Sequence, residues 1–256
     1  MHGQFVWYDV MTTDTKAAEA FYCDVFGWSA KDSSVPGKPY TIFSAGPEMV
    51  GGLMAPDATA AAMGVRPCWT GYVGVADVDA AVAGVLSAGG AIYRPAEDIP
   101  GVGRFAVVAD PHGAVFIVFT PLGERDGPPV AQYTPGHVAW HELMAGDLDS
   151  AFAFYASQFG WTKGEAIDMG PMGIYQLFST SKGGPAYGGM MTKPPHVPRP
   201  FWLFYVSVAA IDPVVARVTA CGGQVINPPM QVPGGGWIAQ CLDPQGAMFA
   251  MVGPAR

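Results

Sequence analysis

Residues 5–11, FVWYDVM, alternate around an apolar set, and a period of two predicts a strand. Asp14 stands where a helix N-cap belongs. Ala18, Phe21, Tyr22 and Val25 then recur at the helical period, so one face of the following segment is apolar. Gly27 suits the helix stop. Short strands are predicted at 40–45 (YTIFSA) and 50–55 (VGGLMA), and a further strand over 69–76. Asp79 is expected to cap a second helix that carries Val82, Val85 and Leu86 and stops at Gly89-Gly90. Strands near 91–94, 103–109 and 114–120 follow, with DPHG (110–113) as the turn between the last two. Asp and Pro start turns, and Gly tolerates positive φ. The order β-α-β-β then β-α-β-β-β describes two modules of similar outline.

The pattern then begins again. WYDVMTTDTKAAEAFYCDVFGW (7–28) aligns without a gap to WHELMAGDLDSAFAFYASQFGW (140–161). At the same offset PCWTGYVGVADVD (67–79) answers PFWLFYVSVAAID (200–212), and IPGVGRFAVVADPHGAVF (99–116) answers VPGGGWIAQCLDPQGAMF (232–249). Matches across almost the whole of each half mark a duplicated chain. The Pro-, Gly- and charge-rich stretch PLGERDGPPVAQYTPG (121–136) reads as the boundary. The expected division is a first unit at 1–122, a linker at 123–136 and a second unit at 137–256.

Composition narrows the partners. Of 256 residues, 50% are hydrophobic and 13% charged, which fits a folded core and not a disordered chain. A formal net charge of −8 with no local Lys/Arg cluster argues against nucleic acid and anionic lipid. No apolar run approaches the roughly 20 residues of a membrane helix. The N-terminus lacks a basic region followed by an apolar one, so no signal peptide is expected. The four cysteines lie far apart without a C-x-x-C, so a zinc ribbon is not expected. A cytoplasmic protein, monomeric or loosely dimeric, with buried free thiols is the expectation. No Walker, Rossmann or G-x-S-x-G signature occurs, and PGVG (100–103) and PGGG (233–236) read as hairpin turns.

The strand followed by D-x(6)-FY-x(3)-FGW (Asp14 to Trp28, Asp147 to Trp161) and the late DPxG (110–113, 243–246) resemble the vicinal oxygen chelate superfamily. That superfamily includes glyoxalase I, bleomycin-resistance proteins, methylmalonyl-CoA epimerase and extradiol dioxygenases. The resemblance covers both halves and is nearest to tandem glyoxalase-like proteins. It implies an α+β fold of paired βαβββ modules, a curved and mostly antiparallel sheet around a cavity, and helices outside. It also implies a divalent ion held by His, Glu or Gln at defined strand positions. Those positions fall on Trp7 and Ile117, near Gly52 or Leu53 and near Gly71 in the first half. In the second half they fall on Trp140 and Ala250, near Gly189 or Met190 and near Phe204. None offers a side-chain donor of the kind metals require, so no metal and no cofactor is expected, and metal-dependent chemistry is in doubt.

WHELM (140–144) looks like the opening of a zinc helix, but Ala145 stands where H-E-x-x-H needs its second His. Read as a strand, it puts Trp140, Glu142 and Met144 on one face and His141 and Leu143 on the other. The twin strand likewise groups Trp7, Asp9 and Met11. The resemblance turns these faces to the cavity. Asp9 and Glu142 are the candidate catalytic residues: a carboxylate among apolar groups is a possible general base. Alternatively each is held by an Arg, Tyr or Trp partner and shapes the pocket, and Arg104 is a candidate partner for Asp9, with Trp237 as its counterpart. Tyr40, Tyr175, Trp69, Tyr72, Trp202 and Tyr205 complete the candidate ligand-binding set. Only some of these face inward by alternation, and the usual fate of the rest is core. His141 is expected to be a hydrogen-bonded core or rim residue; His137, His112, His196 and His2 are not expected to bind metal. Inward aromatics with a few polar handles suit an aromatic or polyketide-like molecule. Two classes of function result. One is a metal-free protein that binds a small apolar or aromatic molecule. The other is a lyase, isomerase or hydrolase using Glu142 or Asp9 as base or as an unorthodox metal ligand. A plain interaction module is a third, weaker class.

Overall fold

A computed structural model describes residues 2–34, 37, 39–123 and 130–256. Of the linker expected over 123–136, residues 124–129 lie outside the described residues. The first half runs β1 (Phe5–Met11), α1 (Thr15–Phe26), β2 (Ser29–Asp32), β3 (Thr41–Ala45), β4 (Glu48–Met54), the short α2 (Ala58–Ala62), β5 (Cys68–Gly74), α3 (Val78–Ser87), β6 (Ala91–Ile99), β7 (Gly103–Ala109) and β8 (Val115–Pro121). The second half repeats it: β9 (Val138–Ala145), α4 (Leu148–Phe159), β10 (Thr162–Asp168), β11 (Ile174–Ser179), β12 (Gly188–Thr192), β13 (Phe201–Ser207), α5 (Ile211–Ala220), β14 (Gln224–Gln231), β15 (Trp237–Leu242) and β16 (Met248–Gly253). Each half contributes one eight-stranded sheet, in the orders β2-β3-β4-β1-β5-β8-β7-β6 and β10-β11-β12-β9-β13-β16-β15-β14. The first and last strands of each module pair in parallel, β1 with β4 and β5 with β8, while the strands joined by hairpins are antiparallel. This is the α+β fold expected of the duplicated pattern.

The helices begin and end as their sequences direct. Asp14 and Asp147 accept the backbone N–H groups of Ala17 and Ser150, and Gly27 and Gly160 adopt the left-handed conformation that closes α1 and α4. Two expectations are corrected. Asp77, not Asp79, caps α3, accepting from Ala80 N. Leu86 is exposed, and Val78 and Val85 carry the buried face of that helix.

Packing divides the chain into two compact units that each draw on both halves. One comprises 1–7, 71–128 and 141–202; the other comprises 8–70, 129–140 and 203–256. The repeated motifs supply the ties inside each unit. In the second, Tyr22 of α1 donates to Asp243 Oδ2 at 2.9 Å and accepts from Trp69 Nε1 at 2.8 Å. Asp243 Oδ1 accepts from Gln245 N and Ala247 N, closing the DPQG turn. In the first unit Tyr155 donates to Asp110 at 3.2 Å and accepts from Trp202 Nε1 at 3.0 Å, and Asp110 closes the DPHG turn. The tryptophans of the FGW motifs do likewise. Trp28 Nε1 donates to Gly136 O and Trp161 Nε1 to Gly3 O, each pinning the segment that leads into the first strand of the other half. The tyrosine of one copy and the aspartate of the other are therefore two ends of one buried tie. Around Tyr22, the core of the second unit gathers Phe21, Val25, Phe43, Ile211, Cys241 and Phe249 between α1, α5 and the sheets.

Candidate functional site

The faces of the strands follow from burial. On β1, Val10 enters the core beneath α1, so Trp7, Asp9 and Met11 lie on the face away from the helices. On β9, Leu143 and His141 are fully buried, which puts Trp140, Glu142 and Met144 on the corresponding face. Trp7, Trp140, Met11 and Met144 are half-buried, and both carboxylates are buried, at 4% and 7% exposure.

Each carboxylate is held by a tyrosine that reaches it across a glycine. Asp9 stands opposite Gly52 on β4, and Gly52 stands opposite Ile42 on β3. Tyr40, just before β3, lays its ring over Gly52 and donates its hydroxyl to Asp9 Oδ1 at 2.6 Å. A Cβ on Gly52 would land on the Tyr40 hydroxyl and on Asp9 Oδ1, so the position admits only hydrogen. The second copy repeats the device in the other unit. Glu142 stands opposite Gly189 of β12, and Tyr175 crosses that glycine to donate to Glu142 Oε2 at 3.0 Å. A Cβ on Gly189 would fall within the Tyr175 ring. Of the partners proposed for the carboxylates, tyrosine is present in both copies.

The other expected site residues divide between the two faces. Tyr72 packs with Phe105, Ile117, Trp7 and Phe119 in an apolar cluster. Tyr205 accepts from Gln240 Nε2 at 2.7 Å. Trp69 and Trp202, by contrast, point into the helix layer, where their indole N–H groups serve Tyr22 and Tyr155. An odd spacing from Tyr72 and Tyr205 puts them on the opposite face, and their placement in the ligand-binding set is corrected. Trp237 is corrected likewise. It shares a face of β15 with Ala239 and Cys241, packs against the core and lies beneath the Arg256 guanidinium, 5.7 Å from the ring centre. Arg104 neighbours Phe105 and so turns to the helix side of β7. There it donates to Asp79 of α3 and to Asp98, all at 2.9 Å, in place of the partnership expected with Asp9. A surface groove of about 420 Å³ beside Phe26, Pro47 and His137 contains none of the expected site residues.

His141 occupies the core as its alternation predicts. Its ring is sandwiched between Phe5, 4.6 Å away and nearly parallel, and Tyr187, 4.2 Å away, with Nδ1 3.0 Å from Tyr187 O. A carbonyl at that distance requires Nδ1 to carry the proton of the neutral ring. Burial among aromatic rings disfavours the imidazolium and pulls the pKa from 6.5 to about 3. The unfolded chain therefore takes up a proton near pH 6.5 that the folded chain refuses until about pH 3. This contribution to stability is whole above pH 6.5 and is lost as pH falls toward 3, by at most about 1.4 kcal/mol per pH unit. Burial pushes Asp243 the opposite way, upward, so its contribution has the opposite sign. Comparing urea midpoints of wild type and His141→Phe at pH 7.5 and 4.5 isolates the histidine. The variant should lose less stability over that interval; equal losses would show that His141 titrates freely.

Sequence reasoning missed the Tyr–Asp ties and the Gln240–Tyr205 bond. A signal for the first was present: Asp of DPxG and Tyr of FY both recur in each copy, which a turn and a helix face do not by themselves require.

The family model described as Glyoxalase/Bleomycin resistance protein/Dioxygenase superfamily matches residues 4–118 and again 134–251. The chain belongs to this superfamily. Its members reach across the whole duplicated chain. Putative glyoxylase CFP32 of Mycobacterium tuberculosis (strain CDC 1551 / Oshkosh) is 36% identical over 253 residues, 97% of this chain and 94% of that relative. Anthracycline biosynthesis protein DauV of Streptomyces sp. (strain C5) is 33% identical over 261 residues, 98% of this chain and 93% of the other. Among solved structures, the Mn(II)-bound glyoxalase from Novosphingobium aromaticivorans superposes with a TM-score of 0.66. It covers 99% of this chain and 82% of its own at 16% identity, a likeness of fold. Among the described residues no helix is long and apolar enough to cross a membrane.

Proposed function

We propose that the chain is a glyoxalase-like protein of two linear units, 1–122 and 137–256, that binds a small, flat, apolar or aromatic molecule on the helix-distal faces of its sheets. The observation that carries this reading is the tyrosine laid over glycine onto a buried carboxylate, present in both copies. A buried carboxylate is expensive unless it is hydrogen-bonded, and here the bond also fixes a flat ring on the sheet. The result is an apolar surface with one oriented polar handle, the usual make-up of a small-molecule site. The relative named for anthracycline biosynthesis supports an aromatic polyketide as the ligand class.

Binding in this reading needs no divalent ion. The positions that the family resemblance assigns to ligands do not fit one. Trp7 and Ile117 pack with Tyr72 in an apolar cluster, the space above Gly52 and Gly189 is filled by phenol rings, and Ala250 has no donor. Among the described residues no three His, Cys, Asp or Glu side chains gather as a metal site would need.

The test is a titration with 1,4-dihydroxyanthraquinone, read by quenching of tryptophan fluorescence. Saturable binding is expected. Tyr40→Phe and Tyr175→Phe should each weaken binding at their own copy about tenfold, the value of one hydrogen bond. Absence of binding to the wild type would sink the reading.

One observation favours the enzymatic alternative: the phenol beside each carboxylate could relay a proton to it. Glu142→Gln separates the two. A docking role leaves affinity within about threefold, because the amide still accepts from Tyr175. A base would show as turnover that the same variant abolishes while binding persists.

A further inference from the structure

A pair of methionines stands beside the tyrosine clip in both copies. Two residues beyond the Asp9–Gly52 pair, Met11 of β1 stands opposite Met54 of β4. Two residues beyond the Glu142–Gly189 pair, Met144 of β9 stands opposite Met191 of β12. The intervening Val10 and Leu53 are core residues, as are Leu143 and Met190, so all four methionines lie on the helix-distal face. The tyrosines come level with them. Thr41 pairs with Leu53 and Gln176 with Met190, which sets Tyr40 beside Met54 and Tyr175 beside Met191. Each row falls within one compact unit: Tyr40, Met54 and Met11 in one, Tyr175, Met191 and Met144 in the other. Met11, Met54 and Met144 are half-buried, and Met191 is buried.

The adjoining row has drifted between the copies, and the methionines have not. Asp9 answers Glu142, and Ile42 opposite Gly52 answers Leu177 opposite Gly189. Packing alone would let each methionine drift in the same way, because Leu or Ile of similar volume replaces it at little cost. What methionine adds is a polarizable thioether on a flexible chain. A thioether makes favourable contacts with an aromatic ring, each worth about two- to tenfold in affinity. Two thioethers beside a phenol ring therefore favour a ligand for being aromatic, not merely for being apolar.

We infer that Met11 with Met54, and Met144 with Met191, are specificity-determining residues that select an aromatic ring over its saturated counterpart. The inference rests on the proposed aromatic binding and names the groups that read aromaticity in it. The division of labour is between a fixed part and an adaptable one. The tyrosine is held in place by its bond to the carboxylate. The unbranched thioether chains fit themselves to the outline of the ring that enters.

The test uses the intact chain with methionine methyl groups labelled with carbon-13, and compares 1-naphthol with decahydro-1-naphthol as probes. Addition of 1-naphthol should shift the methyl resonances of Met11, Met54, Met144 and Met191 through its ring current. Those of the exposed Met49, Met63, Met172 and Met230 should stay where they are. Single Met→Leu variants identify the four signals, each by the loss of one. Equilibrium dialysis gives the affinities. The quadruple variant M11L/M54L/M144L/M191L should bind 1-naphthol about fivefold more weakly and decahydro-1-naphthol within about twofold of wild type. Leucine keeps the apolar volume, so the fold survives the change, and the shifts in the wild type stand as a reading of their own. Three results would overturn the inference and leave aromatic binding standing: 1-naphthol that binds without moving the four signals, a quadruple variant with the wild-type preference, or an equal loss of both probes. Failure of 1-naphthol to bind the wild type would remove the inference together with the reading it rests on.

Discussion

Asp243→Ala should lower the stability of the protein by about 2–4 kcal/mol, read as a shift in the urea midpoint. The carboxylate is 2% exposed and serves three donors: the Tyr22 hydroxyl and the backbone N–H groups of Gln245 and Ala247. Its loss strands the Tyr22 hydroxyl in a fully buried position, where water cannot replace the missing acceptor. The aromatic surroundings push the Tyr22 pKa well above its ordinary value and the Asp243 pKa upward, each chiefly through burial. These groups lie in a medium where an unmade bond is paid in full. Asp110→Ala should behave alike through Tyr155, with its longer bond of 3.2 Å giving the smaller effect. Tyr22→Phe is the control. It leaves Trp69 Nε1 and one oxygen of Asp243 without their partner and should fall below Asp243→Ala in cost. A midpoint unchanged in all three would show that the tie contributes nothing to the unit it closes.

Gly52→Val and Gly189→Val should each abolish ligand binding at the copy they touch, a loss of a hundredfold or so, and should also lower stability, because each displaces a hydroxyl bonded to a buried carboxylate. In both cases the new Cβ falls on the phenol ring or hydroxyl that crosses the glycine. The tyrosine must leave, and with it goes the bond to Asp9 or Glu142. Gly189→Val combined with Tyr175→Ala restores the space but not the handle, so it should recover part of the stability lost in Gly189→Val and still fail to bind. If Gly52→Val binds 1,4-dihydroxyanthraquinone as wild type does, the tyrosine clip is not part of the surface that binds.

The residues that were legible in the sequence were those set by period. Alternation placed Asp9 and Glu142 on one face and His141 on the other, and the caps and glycines of α1 and α4 were plain. Strand β2, SAKD, was missed because an exposed edge strand buries almost nothing and shows no apolar alternation. Two aspartates at positions 77 and 79 compete for the cap of α3, and the local sequence does not say which one the chain turns upon. Register was the larger gap. That Tyr40 meets Asp9 depends on Ile42, Gly52 and Asp9 falling in one row, and that Gln240 meets Tyr205 depends on Ala250 lying between them. Both are facts of strand pairing that no single strand displays. Arg104 illustrates the same limit, because one position along β7 separates the face of Phe105 from the face of Asp79. The interleaving of the two halves was also hidden. A repeat reveals which segments are alike, not which tyrosine of one copy will find which aspartate of the other.

The central claim, aromatic binding that does not depend on a metal ion, is tested most directly by one titration done three ways. Protein purified without metal-affinity resin would be titrated with 1,4-dihydroxyanthraquinone as isolated, after exhaustive chelation, and after addition of excess Mn²⁺. The expected result is one affinity in all three, abolished by Gly189→Val and Gly52→Val together. Binding that disappears on chelation and returns with Mn²⁺ would contradict it, and would show that donors other than the tyrosine–carboxylate pairs organise the site.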